Sequence, residues 1–254
     1  MRPETYELLA ARQETYWWHR ARRTMALALL RRFGLAPQCR WLDVGCGPGG
    51  NLRMLDDMDP KIIVGVDVSP RALSLAKLYA PSAVLVQADI NQNLPFADAS
   101  FDLVTIFNVL YHKWVENEAH IIGEAARVLC PNGLLLLTEP AFDALSREMD
   151  NAVMTRRRYR ETDFTSWLDA NQLETLFSSY FTSFGFPIIL TAKYLNCLRR
   201  KKESAVALDM RRIPRTVNEL LTVVAKAEAQ IIARGIRLPF GTTIVKVARR
   251  RAVF

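Results

Sequence analysis

Three short apolar runs follow one another in the first third of the chain, and each leads into an aspartate. The runs cover residues 40–44, 62–66 and 83–88, and the carboxylates at their ends belong to Asp43, Asp67 and Asp89. Runs of this length, separated by helix-forming segments, predict parallel strands joined by helical crossovers. Because the carboxyl ends of parallel strands meet at one edge of a sheet, the three carboxylates are expected to share that edge.

A glycine-dense turn follows the first run and reads Gly45-x-Gly47-x-Gly49. Glycines at such a turn let the backbone approach a ligand that side chains would block. The turn lacks the later glycine of dinucleotide-binding loops and the Lys-Ser/Thr pair of phosphate loops. An acid after the second strand suits a ribose diol. The pattern therefore favours a ligand with a cationic amino-acid end, a ribose and an adenine.

This order of residues resembles the class I S-adenosyl-L-methionine (SAM) dependent methyltransferases. Their pattern is an acid and a glycine-rich loop after strand one, then an acid after strand two and another after strand three. The resemblance implies that Asp67 accepts from both ribose hydroxyls and Asp89 from the adenine amino group. The simpler alternative for each aspartate is a capping or turn residue. The cofactor contacts implied are Asp43, Gly45, Cys46, Gly47, Gly49, Asp67, Val68, Asp89, Ile90 and Asn108.

The loop after the fourth strand carries the candidate catalytic residues. In the family it lies between cofactor and acceptor, and here it contains Tyr111 and His112. Methyl transfer from a sulfonium mainly needs alignment and sometimes the removal of a proton. We interpret His112 as a candidate general base, because neutral imidazole is available near pH 7, and Tyr111 as a group that orients the acceptor. The alternative is that His112 caps a helix or packs under the cofactor.

An aromatic, arginine-bearing segment at 16–22 resembles the opening of one bacterial branch of the family, the type 11-like methyltransferases. That branch has an Arg-Arg-Tyr motif, which this chain has at 157–159, but the chain carries Met149 and Thr155 where the branch favours histidine. The resemblance implies that the N-terminal helix covers the mouth of the site, although both tryptophans could instead dock the helix on the core. The candidate acceptor contacts are Tyr16, Trp17, Arg22, Arg157 and Tyr159.

The predicted fold is α/β and Rossmann-like, a doubly wound, mostly parallel seven-stranded sheet with an N-terminal helix and a helical insertion before the last strand. The remaining strands are expected near 102–107, 133–138, 172–184 and 242–248. Helices are expected near 5–33, 49–56, 70–79 (capped by Ser69), 116–129, 161–170 (capped by Thr162), 187–202 and 216–233. We expect one domain, with a helical cap at 1–37, a SAM-binding core at 38–140, a substrate-side segment at 141–185, a helical lid at 186–236, and a last strand with a basic tail at 237–254.

The charge is unevenly distributed along the chain. Residues 40–150 include 8 basic and 15 acidic residues, whereas the rest of the chain has 26 basic and 11 acidic ones. The basic flanks fit an anionic substrate, a carrier or a membrane surface, or simply solvated helix faces. Nucleic acid is less favoured, because the basic runs lack the interleaved aromatic residues of a base-stacking surface.

Cysteine spacing and hydropathy exclude several classes of protein. The four cysteines are far apart and form no C-x-x-C pair, so neither a metal site nor a disulfide framework is expected. No apolar run reaches the ~18 residues of a membrane span, and the N-terminus has no signal-peptide core. These features predict a reduced, cytoplasmic protein.

Together, these patterns predict SAM-dependent methyl transfer to a small or medium, hydrophobic and anionic organic acceptor, with S-adenosyl-L-homocysteine as product. Oxygen is the expected acceptor atom, in secondary or lipid-linked biosynthesis. A nucleic-acid methyltransferase and a SAM-binding partner protein without turnover are the alternatives. Peripheral membrane contact and a monomeric or homodimeric state are left open.

Overall fold

A seven-stranded sheet forms the centre of the protein, in a computed structural model that describes residues 3–146, 150, 153–198 and 213–252. The strands lie in the order β3-β2-β1-β4-β5-β7-β6. They are β1 (Arg40–Val44), β2 (Ile62–Asp67), β3 (Val84–Gln87), β4 (Phe101–Phe107), β5 (Leu129–Pro140), β6 (Leu173–Phe181) and β7 (Thr243–Arg250). The predicted fold class is confirmed.

The first five strands are parallel, and β7 runs antiparallel between β5 and β6. The strand order reverses at β1, since the chain proceeds outwards to β2 and β3 and then returns to β4 on the other side. Ligands of doubly wound sheets bind in the crevice that such a reversal creates at the carboxyl ends of the strands. The loops after β1 and β4 flank this crevice.

Helices cover both faces of the sheet. They are α1 (Pro3–Arg12), α2 (Trp17–Arg32), α3 (Pro70–Tyr79), α4 (Glu118–Val128), α5 (Thr165–Ala170), α6 (Gly185–Leu198) and α7 (Arg215–Ala233). Alternate side chains of each strand enter opposite cores. On β1, Trp41 belongs to the core that α2 and α7 cover, whereas Leu42 and Val44 belong to the core under α4.

The single helix predicted over 5–33 is wrong, because a break at residues 13–16 divides it into α1 and α2. Tyr16 has an extended backbone (φ −73°, ψ 126°) and begins the second helix. The carbonyl of Gln13 accepts a hydrogen bond from Arg23 Nη1 at 2.7 Å. The aromatic segment at 16–22 thus lies at the beginning of the second helix.

The helix predicted over 49–56 is also wrong. Successive tight turns occupy this segment and end in a 3-10 turn at Asp56–Met58. Its backbone bonds join residues three apart, as in Leu52 N–H to Gly49 O and Met54 N–H to Asn51 O. Gly49 has φ +87°, a left-handed conformation that a helix cannot include.

Two predicted helix caps have different outcomes. Ser69 caps α3 as predicted, and its Oγ accepts from Ala72 N–H at 3.2 Å. Thr162 does not cap a helix, because residues Glu161–Phe164 form a 3-10 turn and α5 begins after it. The cap of that turn is the Asp163 carboxylate, which accepts from Arg160 N–H at 2.7 Å.

The two helices predicted before the last strand are present as α6 and α7. The predicted end of the first, at 199–202, lies outside the described residues. No helix in the described part of the chain is long and apolar enough to cross a membrane.

Candidate active site

Asp43, in β1, carries a buried carboxyl group. Its Oδ1 accepts a hydrogen bond from Thr105 Oγ1 on the neighbouring strand at 2.6 Å. Its Oδ2 is buried and has no hydrogen-bond partner. Burial raises the pKa of Asp43 to about 6, and Thr105, Arg22 and the Asn51 amide offset part of this shift. A buried oxygen without a donor is costly, so Asp43 can receive a cationic or N–H group of a ligand.

The glycine turn after β1 needs its glycines for two different reasons. Gly45 has φ +72°, and a Cβ there would lie 2.5 Å from a methyl carbon of Val109 in the loop after β4. A Cβ on Gly49 would lie 3.0 Å from the Ala76 backbone of α3. Gly47 also has positive φ, at +55°, but a Cβ there would meet nothing within 4 Å. Gly45 and Gly49 therefore permit close packing, whereas Gly47 borders open space.

Asp67, at the end of β2, joins the turns after the first two strands. Its Oδ2 accepts from Gly47 N–H and its Oδ1 from Ser69 N–H, both at 2.9 Å. The side chain is buried, and this burial raises the pKa of its carboxyl group. Each oxygen keeps a lone pair beyond its backbone bond. Asp67 thus caps both turns, and its remaining lone pairs are free to accept hydrogen bonds from ribose hydroxyls.

Asp89 lies apart from this pair, in the loop after β3, and is exposed. Its Oδ1 accepts from Asn91 N–H and Asn91 Nδ2, both at 2.9 Å. The neighbouring Ile90 is buried, whereas Val68 after β2 is 46% exposed. The contacts of Asp89 and Ile90 with adenine, and of Val68 with its face, stay predictions.

Arg22 reaches the crevice from α2 and links its two sides. Its Nη2 donates to Asn51 Oδ1 at 2.8 Å, beside the glycine turn, and its Nη1 donates to Asn108 Oδ1 at 3.0 Å, after β4. The rings of Trp18 and Phe107 lie 4.6 and 5.0 Å from its guanidinium carbon. Burial lowers the pKa of Arg22 to about 10, and the charge of Asp43 opposes that shift.

Glu139, at the end of β5, is a site residue that the sequence analysis missed. It is fully buried, and its Oε1 accepts from the backbone N–H groups of Val109 and Leu110 at 2.9 and 2.8 Å. Its Oε2 has no partner, and burial raises its pKa to about 8. The available signal was an apolar run that ends in an acid, the same pattern that identified Asp43 and Asp67.

The candidate base His112 is buried in the loop that Glu139 holds. Its Nδ1 lies 2.8 Å from the Val153 carbonyl, so Nδ1 carries the proton and Nε2 is left as an acceptor. Its ring stacks on Trp114 at 4.1 Å and contacts Tyr111 at 4.0 Å. Burial lowers the pKa of His112 to about 3, and burial raises the pKa of the Tyr111 hydroxyl. Both side chains are therefore neutral at pH 7.

Arg157 and Tyr159 support this loop from the 153–159 segment. The fully buried Tyr159 donates its hydroxyl to the Leu110 carbonyl at 2.8 Å, and that hydroxyl lies 2.9 Å from Glu118 Oε1. The Arg157 guanidinium lies 4.6 Å from the Tyr159 ring centre and 2.8 Å from Glu118. These contacts account for the Tyr159 hydroxyl, whereas Arg157 Nε is buried without a hydrogen-bond partner. The role of both residues as acceptor contacts stays a prediction.

Tyr16 and Trp17 lie at the start of α2. The buried Trp17 packs on Phe184 at 5.8 Å, and its backbone N–H donates to Asn218 Oδ1 at 3.0 Å. Tyr16 contacts Trp17 and His19. Docking of the helix explains these contacts, yet Trp17 Nε1 is buried without a partner, and the acceptor role of both residues stays a prediction.

Metal-binding clusters do not add a second site in the described part of the chain. Among the described residues, no group of three or more His, Cys, Asp or Glu side chains could hold a metal ion. Cys39, Cys46 and Cys130 are free thiols, and the Cys197 side chain lies outside the described residues. A depression of about 590 Å³ lies at the amino end of β1, beside Pro37 and Gln38, at the opposite end of the strand from the carboxylates.

Comparison with known proteins finds similarity in the central segment. Residues 42–137 match the family model of a methyltransferase domain. Over 123 residues the chain is 36% identical to malonyl-[acyl-carrier protein] O-methyltransferase of Enterobacter lignolyticus, covering 48% of this chain and 47% of the relative. Over 116 residues it is 34% identical to trans-aconitate 2-methyltransferase of Methylobacterium nodulans, covering 45% and 43%. The chain thus spans about half the length of the curated relatives it matches.

Structural similarity extends further along the chain. A solved complex of the Haloferax volcanii Trm112 methyltransferase activator with a methyltransferase contains a chain with a TM-score of 0.63 to this one. The match covers 97% of this chain and 98% of that one, at 17% sequence identity. At this identity the likeness shows the fold alone, whereas the match to the family model is confined to residues 42–137.

Proposed function

We propose, on the premise that residues 42–137 match the family model of a methyltransferase domain, that the chain is a class I SAM-dependent enzyme that methylates a small or medium organic acceptor. We infer that this acceptor is hydrophobic and anionic, and that the methyl group is transferred to an oxygen atom. The observation that carries the proposal is the buried, unpartnered Oδ2 of Asp43 at the edge of the glycine turn.

The residues of the crevice fit SAM. The ammonium group of its methionine part would satisfy Asp43 Oδ2, and the open space beside Gly47 would admit the ligand backbone. Asp67 would bind the ribose hydroxyls with the lone pairs that its two backbone donors leave free. Asp89, Val68 and Ile90 would complete the adenine end. When bound, the cofactor supplies a methyl group that its sulfonium charge already activates.

Two observations support an anionic acceptor. Arg22 brings a buried positive charge into the crevice between the turns after β1 and β4. The two relatives described above are named for malonyl and aconitate substrates, both of which are carboxylic acids. An ionised carboxylate needs no base before it is methylated. His112 Nε2 has no proton to donate to such a carboxylate, because the ring proton is on Nδ1, so His112 would act as a base or a hydrogen-bond acceptor only toward a hydroxyl group.

The segments around the core would form the acceptor side of the site. We propose a single domain in which the cap at 1–37 and the segment at 141–185 border the crevice, and the insertion at 186–236 forms a lid. The link from α2 to α7 through Trp17 and Asn218 supports this arrangement.

The test has two steps. Calorimetry with SAM and with S-adenosyl-L-homocysteine should give binding heat and a raised midpoint of thermal unfolding. Release of S-adenosyl-L-homocysteine should then be measured with a panel of dicarboxylic and acyl acids, each paired with its methyl ester as the control. Turnover should require the free acid. Absence of SAM binding would refute the cofactor site, and turnover of the esters alone would refute the anionic acceptor.

A further inference from the structure

Exposed apolar side chains are concentrated in one part of the chain. Thirteen large apolar side chains are exposed among the described residues, and nine of them lie between residues 188 and 240. They are Ile188, Tyr194, Val217, Leu220, Val223, Val224, Ile231, Ile236 and Phe240. Exposed apolar side chains are ordinary when they are scattered singly, but a concentration of them marks an interaction surface.

Helix α7 carries two apolar stripes rather than one. The first is buried and packs toward α2, through Thr222, Ala225, Ala229 and Ile232. The second is exposed and consists of Val217, Leu220, Val224 and Ile231, whose spacings of three, four and seven place them on one face. A polar face separates the two stripes on the other side of the helix, with Arg215, Glu219 and Lys226. Helix α7 thus presents apolar side chains to solvent as well as to the core.

Helix α6 also carries exposed apolar side chains. Its sequence is apolar over most of its length, yet Ile188 is 54% and Tyr194 65% exposed. The segment that leads into it is fixed to α7, because the Glu228 carboxylate accepts from Ser183 N–H at 3.0 Å and from Ser183 Oγ at 2.7 Å. Glu228 lies on the edge of α7 between the buried and the exposed stripe. This contact fixes the segment before α6 to α7, at a position next to the exposed stripe.

The charge of this region is strongly positive. Residues 185–237 include eleven basic and four acidic residues, and the sequence directly after α6 reads Arg199-Arg200-Lys201-Lys202. Two of the acids are already engaged, Glu228 with Ser183 and Glu219 with Arg20 at 2.8 Å. Among the described residues of this region, the side chains of Arg215, Lys226, Arg234 and Arg237 are exposed. Exposed apolar side chains together with an excess of cations are complementary to a surface that is apolar inside and anionic outside.

We propose that α6 and the exposed stripe of α7 form a docking surface for an anionic lipid bilayer. The 14 residues of α6 span about 21 Å, too short to cross a bilayer core of about 30 Å, so the helices lie in its interface. A second copy of the chain fits less well, because a symmetric dimer through this face would bring two basic surfaces together. A nucleic acid fits less well because the exposed side chains are mainly aliphatic and offer little for base stacking.

The experiment is co-sedimentation of the full chain with vesicles of phosphatidylcholine alone and of phosphatidylcholine with 25% phosphatidylglycerol. We expect binding to the anionic vesicles only, with release at high salt. The double variant Ile188→Glu, Leu220→Glu should weaken this binding at least 10-fold. The matched control is the double variant Leu78→Glu, Val84→Glu, which adds the same two charges at exposed apolar side chains on α3 and β3 (82% and 47% exposed) and should bind as the unaltered chain does.

Four outcomes would overturn the proposal. The first is that the chain does not sediment with anionic vesicles, and the second is that the control variant loses vesicle binding as much as the Ile188→Glu, Leu220→Glu variant does. The third is that the chain binds no vesicles but forms a dimer that the Ile188→Glu, Leu220→Glu variant abolishes. The fourth is that the chain binds RNA rather than vesicles and loses RNA binding in that variant. Circular dichroism and SAM calorimetry on each variant verify the fold. Because sedimentation needs no turnover, its result is independent of the proposed methyl transfer.

Discussion

Three carboxyl groups at the carboxyl ends of β-strands are buried, and each has a different set of hydrogen-bond partners. Asp67 is satisfied by two backbone donors, Asp43 has one donor and one free oxygen, and Glu139 holds the loop of the candidate base. At the scale of single residues, the candidate site is therefore a set of acids whose partners come from the loops they organise.

The replacement Asp67→Ala should affect both binding and stability. We expect it to weaken SAM binding by about 1–3 kcal/mol, because a charge-assisted hydrogen bond to the ribose is lost. It should also lower the free energy of unfolding without SAM, since the N–H groups of Gly47 and Ser69 lose their acceptor. Calorimetry and urea denaturation measure the two effects.

Two variants separate the effects of Asp67. Asp67→Asn keeps an acceptor oxygen and should recover part of the stability while the affinity stays low. Asp98→Ala removes an exposed acid of the same domain and should leave SAM binding unchanged. Unchanged affinity in Asp67→Ala would refute the ribose assignment.

Glu139 should make stability fall as the pH rises. Its folded-state pKa of about 8 lies above the ordinary value of 4.5, so the folded protein binds more protons than the unfolded chain between these values. Unfolding free energy should therefore decrease by about 2 kcal/mol between pH 6.5 and 8.5 from this group. Between pH 6.5 and 8.5, Asp43 and His112, with pKa values of about 6 and 3, contribute little to the change in unfolding free energy.

The control for this pH effect is Glu139→Gln, which keeps the acceptor for Val109 and Leu110 but does not titrate. Urea denaturation at several pH values should show a flatter profile for the variant than for the unaltered chain. Parallel profiles would contradict the raised pKa.

The acidic residues at strand ends are predictable from the sequence, because apolar runs mark where strands end. The hydrogen-bond partners of the site residues are not predictable from it. That Arg22 meets Asn51 and Asn108 depends on how α2 crosses the sheet. The tautomer of His112 depends on the Val153 carbonyl, 41 residues away along the chain. Neither contact has a local pattern in the sequence.

At the scale of elements, the turn after β1 replaces a predicted helix with a series of tight turns. The prediction failed because residues that favour a helix follow Asn51, while the preceding glycines, with positive φ, set the path of the chain. By contrast, α3 was predicted to the residue because Ser69 and Pro70 are strong start signals.

Two glycines of this turn provide a matched pair of variants. Gly45→Ala and Gly47→Ala both place alanine at positive φ, which costs about 1–2 kcal/mol. Only at position 45 would the added methyl group overlap Val109, which should cost about 1–3 kcal/mol more. Urea denaturation without SAM should show this difference. Equal destabilisation would contradict the packing of the turn against Val109.

At the scale of the whole molecule, the beginning of the chain packs on a helix near its end. Helix α2 lies along α7, with Trp17 N–H bonded to Asn218 and Arg20 paired with Glu219. The fold class was predictable from the alternation of strands and helices. This pairing was not, because two amphipathic helices 200 residues apart carry no sign of which surface each will cover.

The contact between Glu228 and Ser183 should matter more than the pair on the surface of α7. Glu228→Ala removes a buried carboxylate that accepts from Ser183 N–H and Oγ and should destabilise the protein by about 1–3 kcal/mol. Glu219→Ala removes the exposed partner of Arg20 and should change stability much less. Thermal unfolding of both variants tests the ranking, and a larger loss in Glu219→Ala would contradict it.

The position of β7 between β5 and β6 has a consequence for biosynthesis. β6 has no hydrogen-bonded neighbour other than β7 among the described strands, and β7 is translated about 60 residues later. A nascent chain therefore carries two open strand edges until Thr243–Arg250 leaves the ribosome, and such edges can pair with other chains. Release of that final strand is the event that seals the sheet.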